Sequence, residues 1–238
     1  MDYGYIEKNL DLIRAKINKA ELNRDNKYDK NGKVRLLAVT KTVEAEKINF
    51  AISKGVDLIG ENRVSELLEK YDKINKDGGL EIHFIGNLQT NKVKHIIDKV
   101  NLIQSVDSVR LAEEINKRAS QRNIKIDVLI EINIGGEDSK IGINPGEALE
   151  FARSLQDFDN LRIKGLMTIP PYFADQKKDG LIKYFDKMHE IFIELSAKKA
   201  NNINMQVLSM GMSEDYEEAI SRGSNIVRIG RAVFGERF

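Results

Sequence analysis

Leu36-Leu-Ala-Val-Thr40 (LLAVT) is apolar up to its last residue and runs straight into Lys41. Seven more runs of this kind follow: DLIG at Asp57–Gly60, IHFIG at Ile82–Gly86, LIQSV at Leu102–Val106, VLIEINI at Val128–Ile134, IKGLMTI at Ile163–Ile169, VLSM at Val207–Met210 and IVRI at Ile226–Ile229. Strands this continuous in apolar residues are buried on both faces, the condition of a parallel sheet. Between them the apolar period lengthens to that of a helix. Leu111, Ile115 and Ala119 recur at every fourth position. Ala148, Ala152 and Leu155 follow Pro145, which suits a first helical turn, and Phe185, Met188, Phe192 and Leu195 stripe the segment Asp179–Lys199. Ile6, Leu10, Ile13 and Ile17 mark one more helix ahead of the first strand. Eight βα units predict an α/β fold, a (β/α)8 TIM barrel with an extra N-terminal helix, as a single domain over 1–238. The alternative, an open doubly wound sheet, usually has fewer strands and a Gly-rich first turn. Asn23–Lys33 (NRDNKYDKNGK) reads as a polar loop.

Composition narrows the chemistry. The chain has 238 residues, 38 basic against 37 acidic, and no Cys. Without Cys there is no disulfide frame, thiolate zinc site or Cys nucleophile, and a reducing cytoplasm suits the chain. A net charge of +1, 7% aromatics and no Trp give no footprint of a nucleic-acid binder. The N-terminus lacks the apolar core of a signal peptide, and no stretch has the roughly 18 apolar residues of a membrane span. A cytoplasmic location with no membrane partner is the expectation.

In a (β/α)8 barrel the chemistry sits at the carboxyl ends of the strands. Polar residues stand there in every unit: Thr40 and Lys41, Glu61 and Asn62, Asn87, Gln104 and Ser105, Glu131 and Asn133, Thr168, Ser209 and Arg228. Lys41 shares alternation parity with Leu37 and Val39, so if these face the barrel interior, Lys41 projects into its mouth. A desolvated amine there can act as a nucleophile; a lysine that snorkels to water is the other reading. Arg228, inside NIVRIG, faces either the interior or the helices, and in both places its charge needs partners. The segments Ser209–Ser213 and Arg228–Ala232 end the last two strands, where such barrels hold phosphate; Gly211 and Gly230 allow close backbone approach, and Ser213 is a candidate N-cap. No Walker A, GxGxxG or zincin pattern occurs, and no metal site is expected. His95 and His189 read as surface residues and His83 as structural. Glu61 and Glu131 remain open as a carboxylate pair.

Eight blocks, in order, carry a resemblance: LLAVTK (36–41), GENRVSELLEK (60–70), HFIGNLQTNKVK (83–94), IQSVDS (103–108), NIGGEDSKIG (133–142), GLMTIPPY (165–172), LSMGMSEDYEEAI (208–220) and VRIGRAVFG (227–235). By these the chain resembles the pyridoxal-phosphate homeostasis protein family, also called the YggS or PROSC family. The resemblance implies a fold-type III barrel like the N-terminal domain of alanine racemase, with pyridoxal 5′-phosphate (PLP) held as a covalent aldimine on Lys41. It implies phosphate contacts at Ser209, Gly230 and the backbone of Arg231. Arg228 then faces the pyridine nitrogen, and Asn62 and Met167 line the cofactor. Arg231 departs from the Thr of many relatives, and Asn87 from a frequent Pro.

An arginine at the pyridine nitrogen discourages its protonation and makes the ring a weak electron sink. A racemase also needs a second, opposed base, which in alanine racemase resembles a tyrosine from an added C-terminal domain. With the chain ending at Phe238, no such domain is expected. The functional expectation is a PLP-binding protein with no catalytic residue that holds or delivers the cofactor. Its partners would be PLP and PLP-dependent apoenzymes, and it would be a monomer or a weak homodimer. The alternative is a low-activity racemase using Tyr172 or a water.

Overall fold

The structure, a computed structural model, describes residues 3–137, 140–171, 178–198 and 201–235. Eight strands form one closed parallel barrel in chain order: β1 Arg35–Val39, β2 Leu58–Glu61, β3 Glu81–Phe84, β4 Leu102–Val106, β5 Ile126–Ile132, β6 Leu161–Thr168, β7 Ile203–Ser209 and β8 Ile226–Ile229. Closure is made by β1 on β8, with Arg35 opposite Ile226 and Ala38 opposite Ile229. Helices alternate with the strands: α1 Gly4–Leu22, α2 Ala45–Ser53, α3 Val64–Tyr71, α4 Val93–Ile96, α5 Val109–Gln121, α6 Ala148–Ser154, α7 Lys178–Ser196, α8 Tyr216–Ser221 and α9 Arg231–Phe234.

The expected stripes all face inward. Ile6, Leu10, Ile13 and Ile17 of α1, Leu111, Ile115 and Ala119 of α5, and Phe185, Met188, Phe192 and Leu195 of α7 are buried in the layer between helices and barrel. α1 packs on α8 and α9, and Asn9 Nδ2 donates to the Val233 carbonyl at 3.1 Å. Inside the barrel, Leu37, Val39, Leu58, Ile85 and Ile226 form one small apolar cluster, and Leu102, Leu129 and Met167 another.

Three expectations need correction. β7 starts at Ile203, ahead of the expected Val207, because INMQV alternates half-buried and exposed residues and so lacks a continuous apolar run. The expected polar loop contains a 3-10 helix, Asn26–Asn31, pinned by Tyr28. Tyr28 is buried, its hydroxyl donates to Asp186 Oδ1 at 2.6 Å, and its ring meets His189 edge-on at 4.7 Å. His189 is therefore buried against that aromatic ring and is no surface residue.

Gly165 marks a register shift of β6 against both neighbours. Its φ is +156°, and a Cβ there would lie 1.7 Å from the Val207 carbonyl oxygen. Gly165→Ala should therefore destabilise the protein by roughly 2–4 kcal/mol in urea unfolding, through forced overpacking. Gly146→Ala, whose Cβ would meet only Asn144 Oδ1 at 3.6 Å, should stay within about 0.5 kcal/mol of the parent.

Candidate functional site

Because Leu37 and Val39 face the barrel interior, Lys41, two residues further, emerges on the same side at the mouth. A cavity of about 400 Å³ opens there, lined by Val39, Lys41, Met212, Asp215, Arg228, Gly230 and Arg231 among others. A second, of about 330 Å³, adjoins it and shares Val39, Lys41, Gly230 and Arg231. The roomier 540 Å³ cavity touches Arg14, Lys33, Arg35 and Asp57 at the opposite, N-terminal ends of the strands, away from where barrel chemistry takes place.

Arg228 has the parity of Ile226 and points inward, 4% exposed. Its Nη1 donates to Ser209 Oγ at 2.8 Å and its Nη2 to the Thr168 carbonyl at 2.7 Å. A guanidinium only donates, so the direction of every following bond is fixed. The Ser209 hydroxyl gives its one proton to Gln104 Oε1 at 2.7 Å, and the Gln104 amide donates to His83 Nδ1 at 2.9 Å. His83 then carries its proton on Nε2, which lies 3.4 Å from Glu81 Oε2. Burial lowers the His83 pKa, in keeping with this neutral tautomer. Glu81 also takes both bonds of Arg35 Nη1 at 3.0 Å. A polar chain thus crosses the interior from the mouth to the floor. Burial depresses Arg228 to about 10, opposed by Asp215 and Glu131, so it stays cationic at neutral pH.

The turn carrying Lys41 is held from outside the barrel. Lys70 Nζ donates to the Thr40 carbonyl at 2.9 Å, to Glu61 Oε1 at 3.0 Å and to Glu66 Oε2 at 3.4 Å. Glu61 also accepts from the Thr40 hydroxyl at 2.7 Å, and burial raises its pKa. Thr42, directly after Lys41, has φ +62°, a left-handed conformation that a β-branched residue rarely adopts. Its amide is clamped by Glu66 Oε2 at 2.6 Å.

Lys41, Arg228, Gly230 and Arg231 thus meet around one cavity, with Met167 and Ser209 beside one another in the wall below. Gly230 leaves room beside Val39, whose Cβ would lie 3.3 Å from an added methyl. The Arg231 side chain turns to Glu214 at 2.8 Å. Asn62, beside Lys41 in the β1–β2 register, lines a neighbouring cleft with Asn87 and His95, and its buried Oδ1 has no hydrogen-bond partner among the described residues. Ser213 does not cap α8; Asp215 precedes that helix and accepts from the Met212 amide at 2.5 Å. Gly211 serves packing, since a Cβ there would come within 2.6 Å of Ala219. Glu61 faces Lys70 outside the barrel while Glu131 shares the inward parity of Leu129, so the two form no carboxylate pair. Tyr172 lies outside the described residues. Among the described residues no three His, Asp or Glu gather as a metal site, and no helix is long and apolar enough to cross a membrane.

Sequence reasoning missed the functions of Lys70 and Glu66 behind Lys41, and of Asp107, Glu131 and Asp215 around the mouth. Glu131 is raised to about 7 by burial and by Asp107, against the pull of Arg228. Its inward parity at the end of β5 was a legible signal; the partners of Lys70 and Glu66 were not.

The family model for the alanine racemase N-terminal domain matches residues 5–237. A pyridoxal phosphate homeostasis protein of Aquifex aeolicus is 47% identical over 203 residues, covering 85% of this chain and 87% of the relative. The chain belongs to the pyridoxal phosphate homeostasis protein family. Another family member, from Haemophilus influenzae, is 38% identical over 98% of this chain and 96% of its own. Among solved structures, PipY of Synechococcus elongatus, determined with PLP bound, superposes with a TM-score of 0.81 at 26% identity, covering 97% of this chain and all of that one. Alanine racemase of Clostridium difficile shares the fold at a TM-score of 0.69 and 19% identity; 96% of this chain matches 57% of that one.

Two measurements probe this geometry. The bond from His83, then those from Arg35, hold the Glu81 carboxyl at about 2, below its value in the unfolded chain. Its contribution to stability is therefore complete above about pH 4.3 and lost as the pH falls towards 2. Glu81→Gln should flatten the urea midpoint between about pH 6 and about pH 3 relative to the parent. Thr42→Gly should raise unfolding stability by about 0.5–1 kcal/mol, since relief of the left-handed strain outweighs the added chain entropy.

Proposed function

We propose that this chain binds pyridoxal 5′-phosphate at the barrel mouth, covalently through Lys41 Nζ, and holds or delivers it without turning over a substrate. The observation that carries the reading is the placement of Lys41 on the inward side of the mouth, in one cavity with Arg228 and Gly230. Its family relatives are named pyridoxal phosphate homeostasis proteins, and PipY was solved with PLP bound. The residues fit the group. Gly230 leaves open the backbone that receives the phosphate, together with the Arg231 amide, while the Arg231 side chain stays on Glu214. Ser209 contributes from below by holding Arg228, its own proton being given to Gln104. Met167 supplies an apolar wall, and Asn62 brings, at the neighbouring strand end, an oxygen with no partner among the described residues.

When bound, PLP supplies an electron-withdrawing ring that stabilises negative charge next to an attached amino group. With the cofactor bound, Arg228 would stand at the ring nitrogen as a permanent donor. Locked by Ser209 and Thr168 and cationic at neutral pH, it has no means of accepting a proton there and leaves the ring a weak sink. That favours retention over catalysis, in a cytoplasmic protein that passes the cofactor to PLP-dependent apoenzymes. Low racemase activity is the competing reading.

Purified protein loaded with PLP and treated with borohydride should carry the cofactor on the peptide containing Lys41, and Lys41→Ala should lose it. Loaded protein should also reconstitute an apoenzyme faster than spontaneous release allows. A protein that takes up no PLP overturns the reading, and steady D/L interconversion of an amino acid that disappears in Lys41→Ala establishes the racemase.

A further inference from the structure

Glu131 is an ionisable group inside the barrel mouth that neither the fold nor the proposed cofactor contacts account for. It ends the inward-facing series Leu129, Glu131 on β5. Its β6 neighbour is Met167, whose β7 neighbour is Ser209, so the three stand side by side in one layer of the wall. In an eight-stranded barrel β5 lies opposite β1, which places Glu131 across the mouth from Lys41. No hydrogen bond reaches its carboxyl among the described residues, although every other interior polar group of the Arg228 chain is paired.

The charges around it pull in opposite directions. Asp107, just beyond β4, repels a negative charge on Glu131, and Arg228 on β8 attracts one. Asp215, beyond β7, competes for the same guanidinium. Lys41 stands opposite, just beyond β1, and the direct neighbours Leu129 and Met167 are apolar. A half-buried carboxyl in such a place holds or releases a proton at little cost, and its choice depends on the next charge that enters the mouth.

We propose that Glu131 is the proton-bearing wall of the cofactor site: it is neutral while anionic pyridoxal phosphate is bound, and its ionisation opposes retention. The proposal rests on the reading of the mouth as a PLP site and adds a binding residue to it. The sign follows from linkage. An anion entering beside Glu131 favours its protonated form, so binding takes up a proton wherever the empty site is ionised. With the empty-site carboxyl at about 7, affinity is unaffected below that pH. Above it, affinity falls by up to about tenfold per pH unit until the carboxyl of the loaded site also ionises. Neutral Glu131 can also donate a hydrogen bond to an oxygen of the ligand, whereas the carboxylate can only accept.

The test is PLP affinity and release rate of the full chain, followed by the absorbance of the bound cofactor from about pH 6 to about pH 8.5. The parent is compared with Glu131→Gln, a neutral side chain of nearly the same shape. Titrations of PLP and Lys41 are common to both proteins and cancel in the ratio of their affinities. The two should bind alike at about pH 6, and Glu131→Gln should bind roughly tenfold tighter at about pH 8.5, with slower release. Asp107→Asn removes the repelling charge and should move the break in the parent curve to lower pH. Parallel curves for the parent and Glu131→Gln, with PLP bound by both, overturn the proposal and leave the site reading intact. A break that Asp107→Asn does not move also overturns it. Absence of PLP uptake at every pH overturns the site reading itself, and this proposal with it.

Discussion

A guanidinium inside a closed barrel is the constraint around which the interior is organised. Removing such a charge from water costs several kcal/mol unless its donors are met. Arg228 meets that cost with Ser209 and the Thr168 carbonyl, and its donor-only chemistry dictates the rest. Ser209 must accept and pass its proton to Gln104, Gln104 must donate to His83, and His83 must be neutral with its proton towards Glu81. Five strands, β3, β4, β6, β7 and β8, are tied together by one polarised chain. A mouth group that cannot turn or change its protonation near neutral pH is what a stable anion-holding site needs, and little of what an acid–base catalyst needs.

The second organising feature is the turn at Lys41. Thr42 is kept in a strained backbone conformation because Glu66 holds its amide and Lys70 holds the carbonyl of Thr40. Strain of this kind survives where surrounding contacts over-determine it. The charges that do so lie on α3, on the outer side of the barrel, so the position of the lysine depends on a helix that never enters the mouth.

Much of this architecture is legible in the amino-acid order. Apolar runs such as LIQSV and IVRI coincide with β4 and β8, because a strand buried on both faces has no choice but continuous apolarity. Parity placed Lys41 beside Val39 and left Arg228 between two faces. The misses share a cause. β7 is half exposed at its start, so its pattern is weak there. His189 and Tyr28 are buried by each other from positions far apart in the chain. Ser213 has the residue type of a cap, yet Asp215 occupies the position where α8 begins.

The sequence alone determined the periods, and with them eight strands, their helices and the lysine after the first strand, since period and parity are local properties of the chain. Which residues share a cavity was decided only by closure. Pairing β1 with β8 brings Lys41 to Gly230 and Arg228, and separates Glu61 from Glu131 by turning one out and the other in. The protonation of Glu131 likewise belongs to the tertiary structure, because it is set by burial and by charges on β8 and beyond β4, and desolvation has no signature in a one-dimensional string.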